Sequence, residues 1–365
     1  MRILIAPDKY AGTLTAPQAA EAIAAGWCRT APADELDIAP LSDGGPGFLD
    51  ALHAALGGEL QAVTVAGPFG APVPAAVLLV GTAPRTAYVE SAQACGIHLT
   101  GGERGEQATT YGVGQLLAAA LDAGASRVVV GLGGSGSNDG GAGLLAALGA
   151  TADVPLDEGV AGLAGITDLT LPTMTTADGG AVEIIAASDV DNPLTGLYGA
   201  SKVFGPQKGI VDLPQADALL ERLAAVAGRI PALEPGAGAA GGLGYALNLL
   251  GATRRRGFDV VADALALDER IERADLVLTG EGSFDASSRG GKVPVALAEL
   301  VGQHARPCVV LAGRVGMGAR EYRSLGVESA YSLVELIGEH RALTEPAGAL
   351  SDLAERVART WGGAE

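Results

Sequence analysis

The sequence predicts an α/β protein of two lobes, and three observations carry that expectation. Short apolar runs of strand length alternate with helical stretches near both ends of the chain, the pattern of a parallel sheet with helices on its faces. Between them come three successive strand-like runs without a helix, which read as an antiparallel element. At 365 residues the chain is about twice the length of a typical domain, and 48% hydrophobic residues can fill two cores.

Taken in order, residues 2–6 are an apolar run ending at Pro7 and Asp8, and Thr15-x-x-Gln18 forms a capping box ahead of a helix over 19–28. A strand over 36–39 then leads through Ser42-Asp43-Gly44-Gly45 into a helix from about 48 to 56. Runs 61–65, 75–80 and 87–90 are the helix-free strands, separated by turn signals such as Gly67-Pro68 and Gly70-Ala71-Pro72. Helices follow over 112–123, 140–148 and 215–227, with strands at 127–130 and 182–187, and residues 150–178 read as an irregular excursion at the rim. A strand at 276–279, a helix at 293–301 and a buried strand at 308–312 complete the pattern. The expected architecture is a Rossmann-like or flavodoxin-like parallel-sheet domain, residues 1–65 and 255–365, with a second α/β domain, residues 66–254, inserted into it.

Composition excludes several functions. A formal net charge of −18 argues against nucleic acid as a partner, because phosphate neutralisation needs basic density. No stretch approaches 18 uninterrupted apolar residues, and the first apolar run is too short for a signal-peptide core. The expectation is a cytoplasmic protein without membrane attachment. Cys28, Cys95 and Cys308 are far apart and read as reduced core thiols. The four histidines lack the spacing of a zinc site.

Charge placement is more informative. There are 20 arginines but only 4 lysines, and Lys9, Lys202, Lys208 and Lys292 all fall in expected loops. A compact ammonium suits phosphate or carboxylate oxygens, and in so acidic a chain such cations must offset repulsion of an anionic ligand. Asp8, Asp43, Asp139, Asp189, Asp191, Glu281 and Asp285 each follow an expected strand. Ligands of open α/β sheets bind at the carboxyl ends of strands, so these acids should converge there. Carboxylates among glycines suit Mg²⁺. Ser135, Ser137 and Asn138 with Gly134 offer hydroxyls and backbone N–H groups for an anion. No histidine lies in these loops, so a carboxylate is the expected acid/base group.

Two dinucleotide-type patterns occur, Gly131-x-Gly133-x-x-Gly136 and Gly236-x-Gly238-x-x-Gly241. At this glycine content roughly one such match arises by chance. Asp153 lies at ribose-contact distance in sequence from the first, which leaves an NAD(P)-dependent oxidoreductase of a small hydroxy acid as one alternative. A non-catalytic sugar-acid sensor is another. No Walker A pattern is present.

Several segments together resemble type 1 glycerate kinases: Ala6-Pro7-Asp8-Lys9, Asp43-Gly44-Gly45, Thr109-Thr110-Tyr111-Gly112, Gly133 to Gly141, Asp189-Val190-Asp191-Asn192-Pro193, Phe204-Gly205-Pro206-Gln207-Lys208-Gly209, Pro235 to Gly244 and Thr279-Gly280-Glu281-Gly282. They run in order through most of the chain. The resemblance implies ATP- and Mg²⁺-dependent phosphorylation of D-glycerate, to 2-phosphoglycerate or in some members the 3-phosphate, in a cleft between two lobes. On that reading Asp189, Asp191, Lys208 and Lys9 are the expected catalytic residues. Asp8, Gly134, Ser135, Ser137, Asn138, Asp139, Asn192, Gln207 and Lys292 bind substrate or phosphate, and Asp43, Glu281 and Asp285 hold metal. The chain departs from the family pattern at Ala11, Pro46, Phe48 and Gly136.

Overall fold

A computed structural model gives the structure of the chain and describes residues 1–10, 12–176, 179–290 and 292–362. In chain order its strands are β1 (Arg2–Ile5), β2 (Glu35–Ile38), β3 (Glu59–Ala66), β4 (Pro72–Val80), β5 (Thr86–Glu90), β6 (Arg127–Gly131), β7 (Thr151–Ala152), β8 (Leu169–Thr170), β9 (Glu183–Ala187), β10 (Thr253–Arg255), β11 (Leu276–Thr279), β12 (Ser283–Phe284), β13 (Cys308–Ala312), β14 (Arg314–Val315) and β15 (Ser329–Ser332). The chain folds into two units. The first comprises Met1–Asp43, Asp50–Gly57 and Phe258–Glu365, and the second Gly44–Leu49 and Gly58–Gly257.

The first unit is built on a parallel sheet of order β15-β13-β11-β1-β2. Its central strands are largely apolar and buried on both faces, as a sheet covered by helices requires. On one face Ile3, Ile5, Leu278 and Leu311 pack with Ile23 and Trp27 of the helix Ala16–Thr30 and with Leu350, Leu353 and Val357 of the helix Pro346–Trp361. The expected capping box at Thr15 is present: Gln18 N donates to Thr15 Oγ1, and Thr15 N donates to Gln18 Oε1 at 3.0 Å. Thr15→Ala should cost about 1 kcal/mol in denaturant unfolding, the usual worth of an N-cap.

The second unit carries a six-stranded sheet of order β10-β9-β6-β5-β4-β3. Its first four strands are parallel, and β3, β4 and β5 form the antiparallel element expected from the helix-free runs. Because β3 pairs with β4 over its whole length, Glu59 to Ala66, the division falls at Gly57–Gly58 where the sequence suggested 65–66. One expectation needs correction. The stretch 150–178 is more than an irregular rim: it holds the β7–β8 pair, and Leu156, Val160, Leu163 and Ile166 are buried against Leu219, Leu220 and Leu223 of the helix Leu213–Ala227. Residues 177 and 178, like Ala11, lie outside the described residues.

Candidate functional site

In the first unit, strand order reverses between β1 and β11, where open sheets place their ligands. The two strand ends are tied together: Asp8 N donates to Gly280 O at 2.9 Å, and Thr279 Oγ1 donates to Ala6 O at 2.8 Å. Gly280 is required there, since a Cβ would lie 2.0 Å from Leu311 O and 2.3 Å from Tyr10 Oη. This close approach gathers the charges. Lys9 Nζ lies 3.6 Å from Asp8 Oδ1 and 3.5 Å from Asp43 Oδ1. Burial pushes the Asp8 carboxyl up to about 7; Lys9 pulls it back, while the charges of Asp43 and Glu281 push it further up. Burial works against the Lys9 ammonium, but Asp8 and Asp43 outweigh it and hold its pKa above the ordinary lysine value.

Glu281 is also buried. It accepts a hydrogen bond from Ser288 Oγ at 2.6 Å and lies 3.7 Å from Lys292 Nζ. Burial raises its pKa, against the pull of Ser288 and Lys292. Asp285 serves a local turn: Ser287 N and Ser283 Oγ both donate to it at 2.8 Å. Hydrogen bonds from Ser287 and Ser283 draw it down to about 2. Among the described residues no cluster of three or more metal-ligating side chains is found. Mg²⁺ does not need one, because it takes one or two carboxylates and keeps waters and substrate phosphates. Asp43 and Glu281 beside Asp8 fit that demand, since their charges push the Asp8 carboxyl up and a cation would relieve it.

The second unit holds a cavity of about 280 Å³ at the carboxyl ends of β6 and β9, lined by Gly134, Ser135, Val190, Phe204, Gln207 and Lys208 among others. Lys208 is 2% exposed, and its Nζ donates to Ser135 Oγ at 2.8 Å and to Ser137 O at 2.6 Å. An ammonium has three donors, so one proton is left for a ligand oxygen. Burial depresses its pKa to about 8, against the opposing pull of Cys95 and Asp139. The turn Pro206–Lys208, closed by Gly209 at φ +70°, carries this side chain inward.

Asp139 has a different place. It is fully buried and accepts from Thr110 N and Thr110 Oγ1 at 2.8 Å each, from Gly141 N at 2.9 Å and from Gly143 N at 3.1 Å. Its carboxylate therefore organises the loop from within. Asn138 is buried too, with Nδ2 donating to Ser201 Oγ at 2.9 Å. Asp189 Oδ1 accepts from Gly257 N at 3.2 Å and lies 3.7 Å from Arg256 Nε, while Asp191 Oδ1 is 2.6 Å from an Arg254 guanidinium nitrogen. The Asp191 side chain is 80% exposed and that of Asp189 16%. Asn192 Nδ2 donates to Tyr198 O at 2.7 Å. Both glycine patterns serve packing, since a Cβ at Gly133 would lie 2.5 Å from Gly45 Cα and one at Gly238 2.3 Å from Pro193 O; Gly134 is crowded too, 2.8 Å from Pro46 Cδ. Phe48 is buried edge-on to Tyr88 at a centroid distance of 6.2 Å, so the departures at 46 and 48 are packing contacts. Asp153, the ribose candidate, instead accepts from Thr167 N at 3.1 Å and Asp168 N at 3.2 Å, and from Thr167 Oγ1.

Sequence reasoning missed Ser288, Ser201 and the arginine partners of Asp189 and Asp191. Only the last had a signal, the run Arg254-Arg255-Arg256 at the end of β10 in an acidic chain. A larger cavity of about 680 Å³, lined by Phe69, Arg104, Tyr111 and Asp157 among others, contains none of the expected site residues.

Buried Asp8, Glu281 and Lys208, near the carboxyl ends of parallel strands, make an α/β arrangement suited to small anions. The family model described as the glycerate kinase family matches residues 3–362. A glycerate kinase from Bacillus subtilis (strain 168) is 38% identical, covering 92% of this chain and 90% of that protein, and a glycerate 2-kinase from Escherichia coli (strain K12) is 36% identical, covering 93% and 92%. A crystal structure described as a putative glycerate kinase 2 from Salmonella typhimurium LT2 superposes with a TM-score of 0.82 at 35% identity, covering 99% of this chain and 98% of that one. The chain belongs to the glycerate kinase family and is an ATP-dependent phosphotransferase.

Proposed function

We propose that this chain transfers the γ-phosphoryl group of ATP to D-glycerate, giving 2-phosphoglycerate. The observation that carries the reading is Lys208, a buried ammonium facing a cavity of about 280 Å³, a size and charge suited to a small organic acid. Ser135, Gly134 and Gln207 line the same cavity and supply polar contacts to that anion. Val190 also lines it, which sets Asp189 and Asp191 beside the cavity in sequence. Of the two, the more buried Asp189 is proposed to orient the attacking hydroxyl and take its proton, while Asp191 holds Arg254. Phosphoryl transfer is mostly positioning and charge neutralisation, and Lys9 and Lys292 supply cations for phosphate oxygens. Mg²⁺, held by Asp43 and Glu281 with Asp8 beside them, would neutralise charge on the nucleotide phosphates. The Escherichia coli relative is named a glycerate 2-kinase, which supports the 2-phosphate over the 3-phosphate.

The cytoplasm is the proposed location. In its support, Cys95 and Cys308 are buried free thiols and Cys28, expected in a core, is an exposed one, as a reducing compartment favours, and no helix among the described residues is long and apolar enough to cross a membrane. A coupled assay tests the activity: ADP should form only with D-glycerate, ATP and Mg²⁺ together, and a chelator should abolish it. NMR of the product should place the phosphate on the 2-oxygen. Absence of glycerate-dependent ADP release would overturn the reading.

A further inference from the structure

We infer that the adenine end of ATP enters a second, separate cavity in the first unit, of about 300 Å³, at the carboxyl edge of its sheet; the inference deepens the kinase reading and rests on it. The cavity is formed by the segments that follow β1, β11, β13 and β15 and by the helix Glu339–Thr344. Two of these segments also carry the charged cluster. Tyr10, a wall residue, follows Lys9 directly, and Gly282, another, follows Glu281 directly. A ligand seated here therefore borders a group of carboxylates and an ammonium suited to phosphates and their metal.

The chemistry of the walls suits the flat faces of an aromatic base better than an acid as small as glycerate. Leu14, Leu333 and Ala342 are buried in the wall, and Val334, Leu343 and Pro346 extend it. Tyr10 Oη is turned away to donate to Leu311 O, and its buried ring backs the wall. The polar lining comes from Thr13 and Ser283 and from Arg314 and Glu339, which pair at 2.8 Å with side chains 60% and 62% exposed. Apolar walls with a few polar groups, in a volume of about 300 Å³, are the usual features of a small-molecule pocket, and a base fits them. The lysine-bearing cavity of the second unit differs, because it places a buried ammonium where a base has no charge to meet it.

Calorimetric titration of the full chain with ATP, with tripolyphosphate as the phosphate-only probe, tests the inference. Val334→Trp and Leu343→Trp each add bulk to a lining side chain, and because Leu343 is 63% exposed its substitution spares the core. The ATP dissociation constant should rise about tenfold in both while that of tripolyphosphate stays within about twofold. A rise of less than about threefold in both variants overturns the assignment. Photolabelling of the unaltered chain with 2-azido-ATP gives a second measurement: label on Tyr10, Thr13, Leu14 or residues 333–346 supports the assignment, and label confined elsewhere overturns it. The glycerate assay separates the two readings. A chain that labels here but does not phosphorylate D-glycerate overturns the substrate and keeps the nucleotide pocket, and the reverse result does the opposite.

Discussion

Lys208→Met should lower kcat/KM for D-glycerate by about a hundredfold or more, the usual cost of removing one charge-stabilising donor from a water-excluded site. The thermal midpoint should stay near that of the unaltered chain. The reason for this split is the burial of Lys208: its charge is kept in the interior at a desolvation cost, and a side chain of similar length without charge removes that cost. Loss of the contacts to Ser135 Oγ and Ser137 O opposes the gain. Normal turnover in this variant would remove Lys208 from the site. The pH dependence gives a second readout. With its pKa depressed to about 8, the ammonium is lost on the alkaline side, so kcat/KM should fall above about pH 8. Its effect on stability has the opposite sign. Between about 8 in the folded chain and about 10.4 when unfolded, the unfolded state holds more protons, so this residue's contribution to stability rises with pH across that window.

Asp139→Ala should destabilise the chain by about 3–5 kcal/mol in denaturant unfolding, among the largest effects available to a single substitution. Removing the carboxylate leaves the N–H groups of Thr110, Gly141 and Gly143 without their acceptor, and an unsatisfied buried donor costs about 1–3 kcal/mol. Asp139→Asn keeps one acceptor oxygen but turns a donating amide on donors, so it should lose roughly half as much. If the alanine variant melted normally and lost only activity, Asp139 would be a ligand-binding residue and not the centre of its loop.

Much of the architecture was legible because its causes are local. The apolar runs at β11 and β13 were readable to the residue, and the Thr15 box was visible because its partners are three positions apart. The stretch 150–178 was misjudged because its four buried side chains find their contacts on a helix some fifty residues later, and no local pattern reports that. Among the proposed site residues, residue type and loop position singled out Lys9, Asp43, Lys208 and Glu281. They could not separate Asp139, bound by four donors, from a carboxylate facing a cavity.

By itself the sequence determined the α/β class, the antiparallel element, the family and the short set of loops in which charge is concentrated, since periodicity, capping and motif order are properties of neighbouring residues. Tertiary structure alone decided which charges are occupied. Lys208 reaches Ser135 across 73 positions, and Asp8 is tied to Gly280 through the pairing of β1 with β11. Burial and hydrogen bonding set what a carboxylate or an ammonium can do, and both depend on partners that only folding brings within about 3 or 4 Å.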